Sequence, residues 1–408
     1  MTAREYPVFT VTPKAERSVR AGHPWVYGEE VTAVEGAYQN GDMVDVVSNK
    51  GRYLGTGWVN DHSKIRVRII SRNANDTFDE AFFRRRVCYA LNYRKTVMGP
   101  VDYRCCRLIF GEADQFPGLT VDRFENILVT QVLSLGMERR KDWVYRALVE
   151  LLREDGEQID AIYERNDVTI RTLEGLGQGK GFYQMEGLRT DLSGHVTITE
   201  NRIKYDVDYI EGQKTGFFLD QKDNREAAAK LARGRRVLDC FTHTGAFALN
   251  AAAAGAEHVT AVDVSAFALE LAAENGKRNG LTNLDYKCAD VFDLLTEMAK
   301  EKKCDYDYII LDPPAFTKSR ATAKNAYHGY KEINRKAMRL LPRGGYLATC
   351  SCSHFMTDEM FRKMLQEAAL DAGVTLRQIE ARQQAPDHPI LPGVPETDYL
   401  KFYLLQVV

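Results

Sequence analysis

No stretch of this 408-residue chain approaches the continuous apolar length needed to cross a bilayer, which sets aside a membrane-spanning protein. The start, MTAREYPVF, lacks an apolar stretch followed by a small-residue cleavage site, so it does not read as a secretory signal. The eight cysteines, at 88, 105, 106, 240, 288, 304, 350 and 352, form no CxxC pair and no framework spacing. That pattern points to a reduced, cytoplasmic protein. Net charge is nearly absent as well: 55 Lys and Arg against 57 Asp and Glu leave −2 at pH 7. Composition therefore does not announce nucleic-acid binding, and any such role must rest on local patches. The runs Arg84-Arg85-Arg86, Arg139-Arg140-Lys141 and Arg233 with Arg235-Arg236 are of a kind more often found on solvated faces than in binding sites. There is no internal repeat and no low-complexity segment.

What is present is globular: 44% hydrophobic and 27% charged residues, in a chain too long for one ordinary core. Residues 1–72 hold short β-type runs (MVDVVSN, YLGTGWVN, KIRVRIIS) separated by turn residues, which predicts a small all-β module. Its opening, ERSVRAGHPWVYGEEV, brings Arg17, Arg20, Trp25 and Tyr27 close in sequence. They form either a basic, aromatic surface, or an edge of a small barrel whose core the two rings fill. Residues 73–190 read as an α+β module with antiparallel strands: a helix over about 78–97, a strand at 126–133, a helix at 141–153, then IDAIYERND and VTIRTL. Its segment GEADQFPGLTVDRF is rich in turn-forming and acidic residues, and no chemistry follows from it. Residues 191–408 open with a β-hairpin, within 195–210, turning at Glu200-Asn201. Helices at 222–232, 245–254, 266–278, from 291, and 326–340 then alternate with the strands RRVLDCF, HVTAVDV, LDYKCAD, YDYIILD and GGYLATCS, and YLKFYLLQVV adds a last strand. Such alternation implies an α/β, Rossmann-like parallel sheet with helices on both faces.

Ligands of doubly wound sheets bind beyond the carboxyl ends of the strands, so those ends carry the functional reading. The first ends in Asp239-Cys240-Phe241-Thr242-His243-Thr244-Gly245, where Gly245 lets the backbone pass close to a ligand at a helix N-terminus. The second ends in Asp263, with Ser265 as helix cap; a carboxylate there can accept from both hydroxyls of a ribose. The third ends in Asp290, placed to accept from an adenine amino group, or simply to cap the helix that follows. A dinucleotide site would show GxGxxG at the first turn, and this chain has a single glycine there. An adenosine site with no pyrophosphate cradle points to S-adenosylmethionine (SAM), with Asp239, Phe241, Gly245, Asp263 and Asp290 around it.

The fourth strand ends in ILDPPAFTKSR. Pro313 and Pro314 stiffen the turn and hold Asp312 and Phe316 in fixed directions, which suits a planar base stacked on Phe316 with its edge at Asp312. The plainer alternative is a tight turn with a buried ring. The fifth strand, GGYLATCS, places Cys350 on one face with Tyr346 and Ala348, where a thiol is usually a packing residue. Cys352 lies at its carboxyl end, beside the turn carrying Asp312. There a thiolate can attack C6 of a cytosine and make C5 nucleophilic, with Asp312 handling the charge that builds at N3. Cysteines two apart do not readily join as a disulfide, and a metal site of Cys350, Cys352 and His354 lacks a fourth ligand, so no metal is expected.

Taken together, AGHPWVY, IYERND, GEADQFPGLTVDRF, GQKTGFFLDQKDNR, DPPAFTKS, GGYLATCSCS and DHPILPGVPETDYLK resemble the family of the large-subunit ribosomal RNA cytosine-5 methyltransferase I, nearly end to end. The resemblance implies an N-terminal PUA domain for RNA docking, an α+β middle domain and a SAM-dependent methyltransferase domain. It puts the single nucleophile on Cys352 rather than Cys350, and Gln221 and Asp263 near the cofactor. The implied partner is large-subunit ribosomal RNA, with no membrane and no metal; a homodimer is left open. Two departures stand out. His243 holds a place where related enzymes often carry an aromatic residue or a glycine. Ala315 stands where many other RNA cytosine-5 methyltransferases carry a second cysteine, so a two-cysteine release is not available in the same form. Rival readings are a guanine-N7 methyltransferase with a similar Asp-Pro-Pro-x-Phe turn, a non-catalytic RNA-binding or ribosome-assembly factor, and an NAD-dependent oxidoreductase, the last disfavoured by the missing glycines.

Overall fold

The computed structural model describes residues 5–301, 304–317 and 322–408. The chain divides into two compact units, one of residues 1–198, 207–219 and 386–397, the other of 199–206, 220–385 and 398–408.

In the first unit, the N-terminal sheet runs in the order Trp25–Tyr27, Ile65–Ser71, Tyr53–Val59, Met43–Ser48, Val8–Val11, Val31–Glu35. It is not all-β. Pro13–Arg20 is a helix, started by Thr12, whose hydroxyl accepts from the Ala15 amide at 3.3 Å, and by Pro13 in its first turn. Ala15 and Val19 seal a core of Phe9, Val11, Val26, Val44, Val46 and Val67. Trp25 and Tyr27 do not fill that core. They flank Val26 on the strand, so period-two alternation turns both outward while Val26 points in, and the Trp25 indole N–H donates to Glu112 at 3.0 Å.

A second sheet in this unit has the order Gly179–Phe182, Ala161–Asn166, Ile127–Val132, Leu119–Phe124, Cys105–Phe110. Ala161–Asn166 and Ile127–Val132 run parallel, not antiparallel, because the helix Lys141–Glu154 between them is a crossover connection. VTIRTL is not a strand but lies over a 3-10 helix, Thr169–Glu174. Helix Glu80–Val97, capped by the Asp79 carboxylate, supplies Phe82, Phe83, Val87 and Leu91 to the same core. The acidic segment around 112–122 proves structural. Asp114 holds the fully buried Arg94, which also donates to the Asp387 carbonyl at 2.8 Å, and Asp122 holds Arg107. Members of the basic runs form ion pairs: Arg84 with Glu150 and Glu154, Arg139 with Asp42, Lys141 with Glu138 and Glu164, and Arg236 with Glu257.

The hairpin strands His195–Glu200 and Ile203–Asp208 pair with each other. Their turn sits on Asn201 and Arg202, at φ +50° and +67°, one residue later than the sequence suggested.

The second unit is built on a seven-stranded sheet. Its strands, numbered within it, are β1 Arg236–Cys240, β2 His258–Asp263, β3 Leu284–Cys288, β4 Tyr308–Leu311, β5 Tyr346–Ser351, β6 Leu376–Arg382 and β7 Lys401–Val407. The order is β3-β2-β1-β4-β5-β7-β6, parallel through β5, with β7 inserted antiparallel between β5 and β6. Helices Lys222–Ala229, Ala246–Ala253, Ala266–Arg278, Val291–Glu301, Ala323–Leu340 and Asp358–Ala372 cover it. Helix Asp358–Ala372 and strand β6 are additions to the sequence reading, and the first of the helices ends three residues earlier than expected. Alternate residues of the central strands feed two separate cores. Leu238, Val262, Ile309 and Leu347 face the larger side chains of helices Ala323–Leu340 and Asp358–Ala372; Val237, Val259, Ile310 and Ala348 face the alanine-rich helices Lys222–Ala229 and Ala246–Ala253. The order reverses between β1 and β4, and the candidate site lies at the carboxyl ends on either side of that switch.

Candidate functional site

After β1 the backbone turns sharply, with positive φ at Phe241 (+65°), His243 (+51°) and Gly245 (+84°). Only glycine fits the last of these: a Cβ there would lie 2.8 Å from the Leu249 side chain and 2.9 Å from Ala272 Cβ. Asp239, at the end of β1, is buried and accepts from the Thr242 hydroxyl at 2.6 Å. Burial pushes its carboxyl up to about 7, with Asp312 and Asp263 adding repulsion and the Thr242 hydroxyl opposing.

At the end of β2, half-buried Asp263 accepts from the backbone N–H of His243 at 2.9 Å and of Ser265 at 3.0 Å, one on each oxygen. The carboxylate thus locks the turn after β1, and each oxygen keeps a second lone pair. Next to it Val264 is 65% exposed, an apolar surface at a strand end that the sequence reading passed over. Asp290 is exposed, and one of its oxygens accepts from the Asp293 amide at 3.1 Å, so it does cap its helix. This donor set fits one adenosine and not a dinucleotide: two carboxylates with spare lone pairs, an apolar face beside one of them, and a single close-approach glycine.

The other side of the switch is made of side chains. Asp312 follows β4 and is half-buried, its carboxyl turned inward. Burial pushes that carboxyl up to about 7, with Asp220 reinforcing, while Arg225 and hydrogen bonds from the Cys350 thiol and the Gln221 amide oppose. Gln221 donates to Asp312 Oδ1 at 3.0 Å and accepts from Asn224 at 2.7 Å, so its amide is oriented from both ends. Arg225 is itself held by Glu200 through bonds of 2.7 and 2.6 Å between fully buried groups. Pro313 is buried and Pro314 exposed. Phe316 is half-buried, packed against Tyr330 (ring centroids 4.5 Å apart) and Phe292 (5.7 Å). Lys318, Ser319 and Arg320, which complete that motif, lie outside the described residues.

Cys350 is fully buried, and burial pushes its thiol well up; the Asp312 carboxylate adds to this, while a bond with Gln221 opposes it. It is therefore a buried thiol whose polar contacts are to the candidate acid and to Gln221. Cys352, two residues on, is half-buried between Ser351 and Ser353, both buried. Ser353 is anchored through its hydroxyl to the Thr317 carbonyl at 3.2 Å and through its carbonyl to Lys401 Nζ at 2.6 Å. Among the described residues no group of three or more His, Cys, Asp or Glu side chains is arranged to hold a metal, no disulfide joins any cysteine, and no helix is long and apolar enough to cross a membrane.

The structure thus links Asp312, Gln221 and Cys350 through hydrogen bonds, couples Asp239 to Asp312 electrostatically, and ties Asp263 to the turn that carries Gly245. Asp290 stands apart, bonded within its own helix. Sequence reasoning missed Asn224, Arg225, Tyr330 and Lys401. The only available signal was a lysine in a strand otherwise apolar at its start, KFYLL.

Comparison with known proteins places the chain in a family. The family described as a PUA-like domain matches residues 9–72, and the family of S-adenosylmethionine-dependent methyltransferases matches residues 183–405. The chain is 40% identical to ribosomal RNA large subunit methyltransferase I of Pseudoalteromonas atlantica, over 98% of this chain and 99% of that protein. It is 42% identical to the protein of the same name from Shewanella denitrificans, over 97% and 98%. Among solved structures it shares its fold with a protein from Streptococcus mutans described as a SAM-dependent methyltransferase, at TM-score 0.81, 22% identity, 98% coverage of this chain and 100% of that one. The structure of SMU.776 complexed with SAH matches at TM-score 0.82, 22% identity and the same coverage.

Proposed function

Because the chain belongs to the ribosomal RNA large subunit methyltransferase I family and is a SAM-dependent methyltransferase, we propose that it methylates C5 of a cytosine in large-subunit ribosomal RNA. In this reading Cys352 is the nucleophile and Asp312 the acid. One observation carries it: the carboxyl of Asp312 is held partly protonated at neutral pH, on the strand end adjacent to a half-buried Cys352, while Cys350 is sealed in the core. SAM, when bound, supplies an electrophilic methyl group. Asp263 would take the ribose hydroxyls and Asp290 the adenine amino group, with Asp239, Phe241 and Gly245 shaping the turn against the ligand and Val264 covering the adenine. Gln221 we assign to Asp312, since its amide is committed there.

The Cys352 thiolate adds to C6 of the cytosine. The ring electrons move toward N3, and protonated Asp312 donates there, leaving an enamine whose C5 is nucleophilic. Once C5 carries the methyl group, loss of the C5 proton to a base and breakage of the S–C6 bond restore the ring double bond and the thiolate, and N3 returns its proton to Asp312. Pro313 and Pro314 fix the approach of Asp312, and the half-buried Phe316 ring supports the base. Residues 1–72 would serve as an RNA-docking PUA domain, 73–190 as a central domain and 191–408 as the catalytic domain, acting in a reducing, cytoplasmic setting.

The test uses ribosomal RNA from cells lacking this protein, incubated with purified enzyme and methyl-labelled SAM and digested to nucleosides. Label is expected in 5-methylcytidine, lost in Cys352→Ala and kept in Cys350→Ala. Label in 7-methylguanosine, or label indifferent to Cys352→Ala, would sink the reading.

A further inference from the structure

Lys401 opens β7 directly across the antiparallel register from Ser351 of β5. Its residue is only 4% exposed, yet its ammonium donates to two neutral groups, the carbonyls of Ser353 at 2.6 Å and Tyr399 at 2.8 Å. A buried ammonium resting on carbonyls is costly unless a negative charge forms beside it. The Ser353 carbonyl belongs to the residue after Cys352, and Cys352 is among the charged groups that act on Lys401, with Asp398 and Asp358. The backbone just after Cys352 is therefore pinned by the same lysine whose charge acts on the Cys352 thiol.

We propose that Lys401 is the fixed positive charge that keeps Cys352 ionised before the base arrives and receives its charge again when the adduct breaks. This deepens the reading of Cys352 as nucleophile and rests on it. Lys401 acts through the thiol and is a positioning residue. Among the described residues Tyr330 and Cys350 also act on Cys352; burial raises both of them, and both in turn face Asp312. Burial lowers Lys401 itself to about 8, against the opposing pull of Asp398, Cys352 and Asp358. Its support for the thiolate is thus present below about pH 8 and fades above it.

The experiment needs neither cofactor nor RNA. In the full chain carrying Cys350→Ala, the rate of iodoacetamide alkylation at Cys352 is followed against pH by peptide mass spectrometry, with Lys401 intact, as Lys401→Gln and as Lys401→Arg. The parent protein is expected to show a midpoint below the ordinary thiol value of about 8.5. Lys401→Gln should raise that midpoint, slowing alkylation at pH 7 by about tenfold, and Lys401→Arg should restore it. A parent midpoint at or above the ordinary value overturns the proposal whether or not the variants fold, as does an equal shift in the Gln and Arg variants. Failure to form 5-methylcytidine would count against the cytosine chemistry alone, because alkylation reads the thiol and not the base.

Discussion

The two halves of the sheet's carboxyl edge are made of different materials. On the β1–β3 side the shape comes from backbone: three positive-φ residues in one turn and two amides bound by Asp263. On the β4, β5 and β7 side it comes from buried side chains: Asp312, Gln221 and Cys350 bonded to one another, with Tyr330 acting on Asp312 and Lys401 bonded to the Ser353 carbonyl. The first half suits a ligand held by shape and fixed dipoles. The second suits proton and charge movement, which needs groups whose ionisation burial has brought near neutrality. The first should accordingly break when an atom is added, and the second when a charge is changed.

The largest effect should come from the side-chain half. Asp312→Asn keeps the size and a hydrogen-bond donor but cannot release a proton, so kcat should fall by about 10²- to 10⁴-fold. The pH profile should separate this from misfolding. The protonated carboxyl is the working form, present below about 7 and lost above it, so the parent enzyme's kcat should decline as pH rises through that value. The variant should lack that decline, and a variant that kept it would remove Asp312 from the chemistry. Next comes Gly245→Ala on the backbone half. Its new Cβ meets Leu249 and Ala272 under 3 Å at a φ of +84°, which should cost about 1–3 kcal/mol of stability and weaken SAM binding by about tenfold or more. Calorimetric titration with SAM, together with a melting curve, would show it; unchanged affinity would mean the turn does not touch the ligand.

The same division explains what could be read from the sequence. The backbone half is local: Asp239, Gly245, Asp263 and Ser265 each follow a strand within a few residues, so strand ends and cap residues sufficed to find them. The β-α alternation was visible for the same reason. The side-chain half joins distant segments. Gln221 meets Asp312 across 91 residues and Lys401 meets Ser353 across 48, and no periodicity encodes such pairings. The misses elsewhere have equally definite causes. VTIRTL has β-branched residues but is short, and most of it folds into the two-turn 3-10 helix Thr169–Glu174. Trp25 and Tyr27 sit either side of the one strand residue that enters the barrel core. Helix Pro13–Arg20 was announced by Thr12-Pro13, a start signal that the neighbouring strands overshadowed.

Asp239 tests where the two halves meet, since it ends β1 but is coupled to Asp312. Burial holds its carboxyl up at about 7, above the ordinary unfolded value of about 3.9. The folded state then binds a proton more tightly than the unfolded one. Its stabilising contribution is full below pH 4, declines between about 4 and 7, and is gone above. Asp239→Asn should flatten that decline and raise stability at pH 8 relative to the parent by on the order of 2 kcal/mol. Denaturant unfolding at pH 5 and pH 8 would measure it. An unchanged pH slope would place the titrating carboxyl elsewhere.

The smallest effect belongs to Asp290, which the backbone half uses least. It is exposed, and one oxygen is already committed to the Asp293 amide. Asp290→Ala removes both that cap and any bond to an adenine amino group, so it should lose about 1 kcal/mol of stability and about three- to fivefold in SAM affinity. Asp290→Ser separates the two, because a serine hydroxyl keeps the helix capped while withdrawing the second carboxylate oxygen. If the serine variant recovers stability but not affinity, the carboxylate has a second acceptor role beyond its helix. If it recovers both, Asp290 is a cap alone, and adenine recognition rests on the backbone after β3 and on the apolar surface of Val264. Either way the exposed carboxylate cannot match the buried ones in effect, since water competes for its free oxygen and screens its charge.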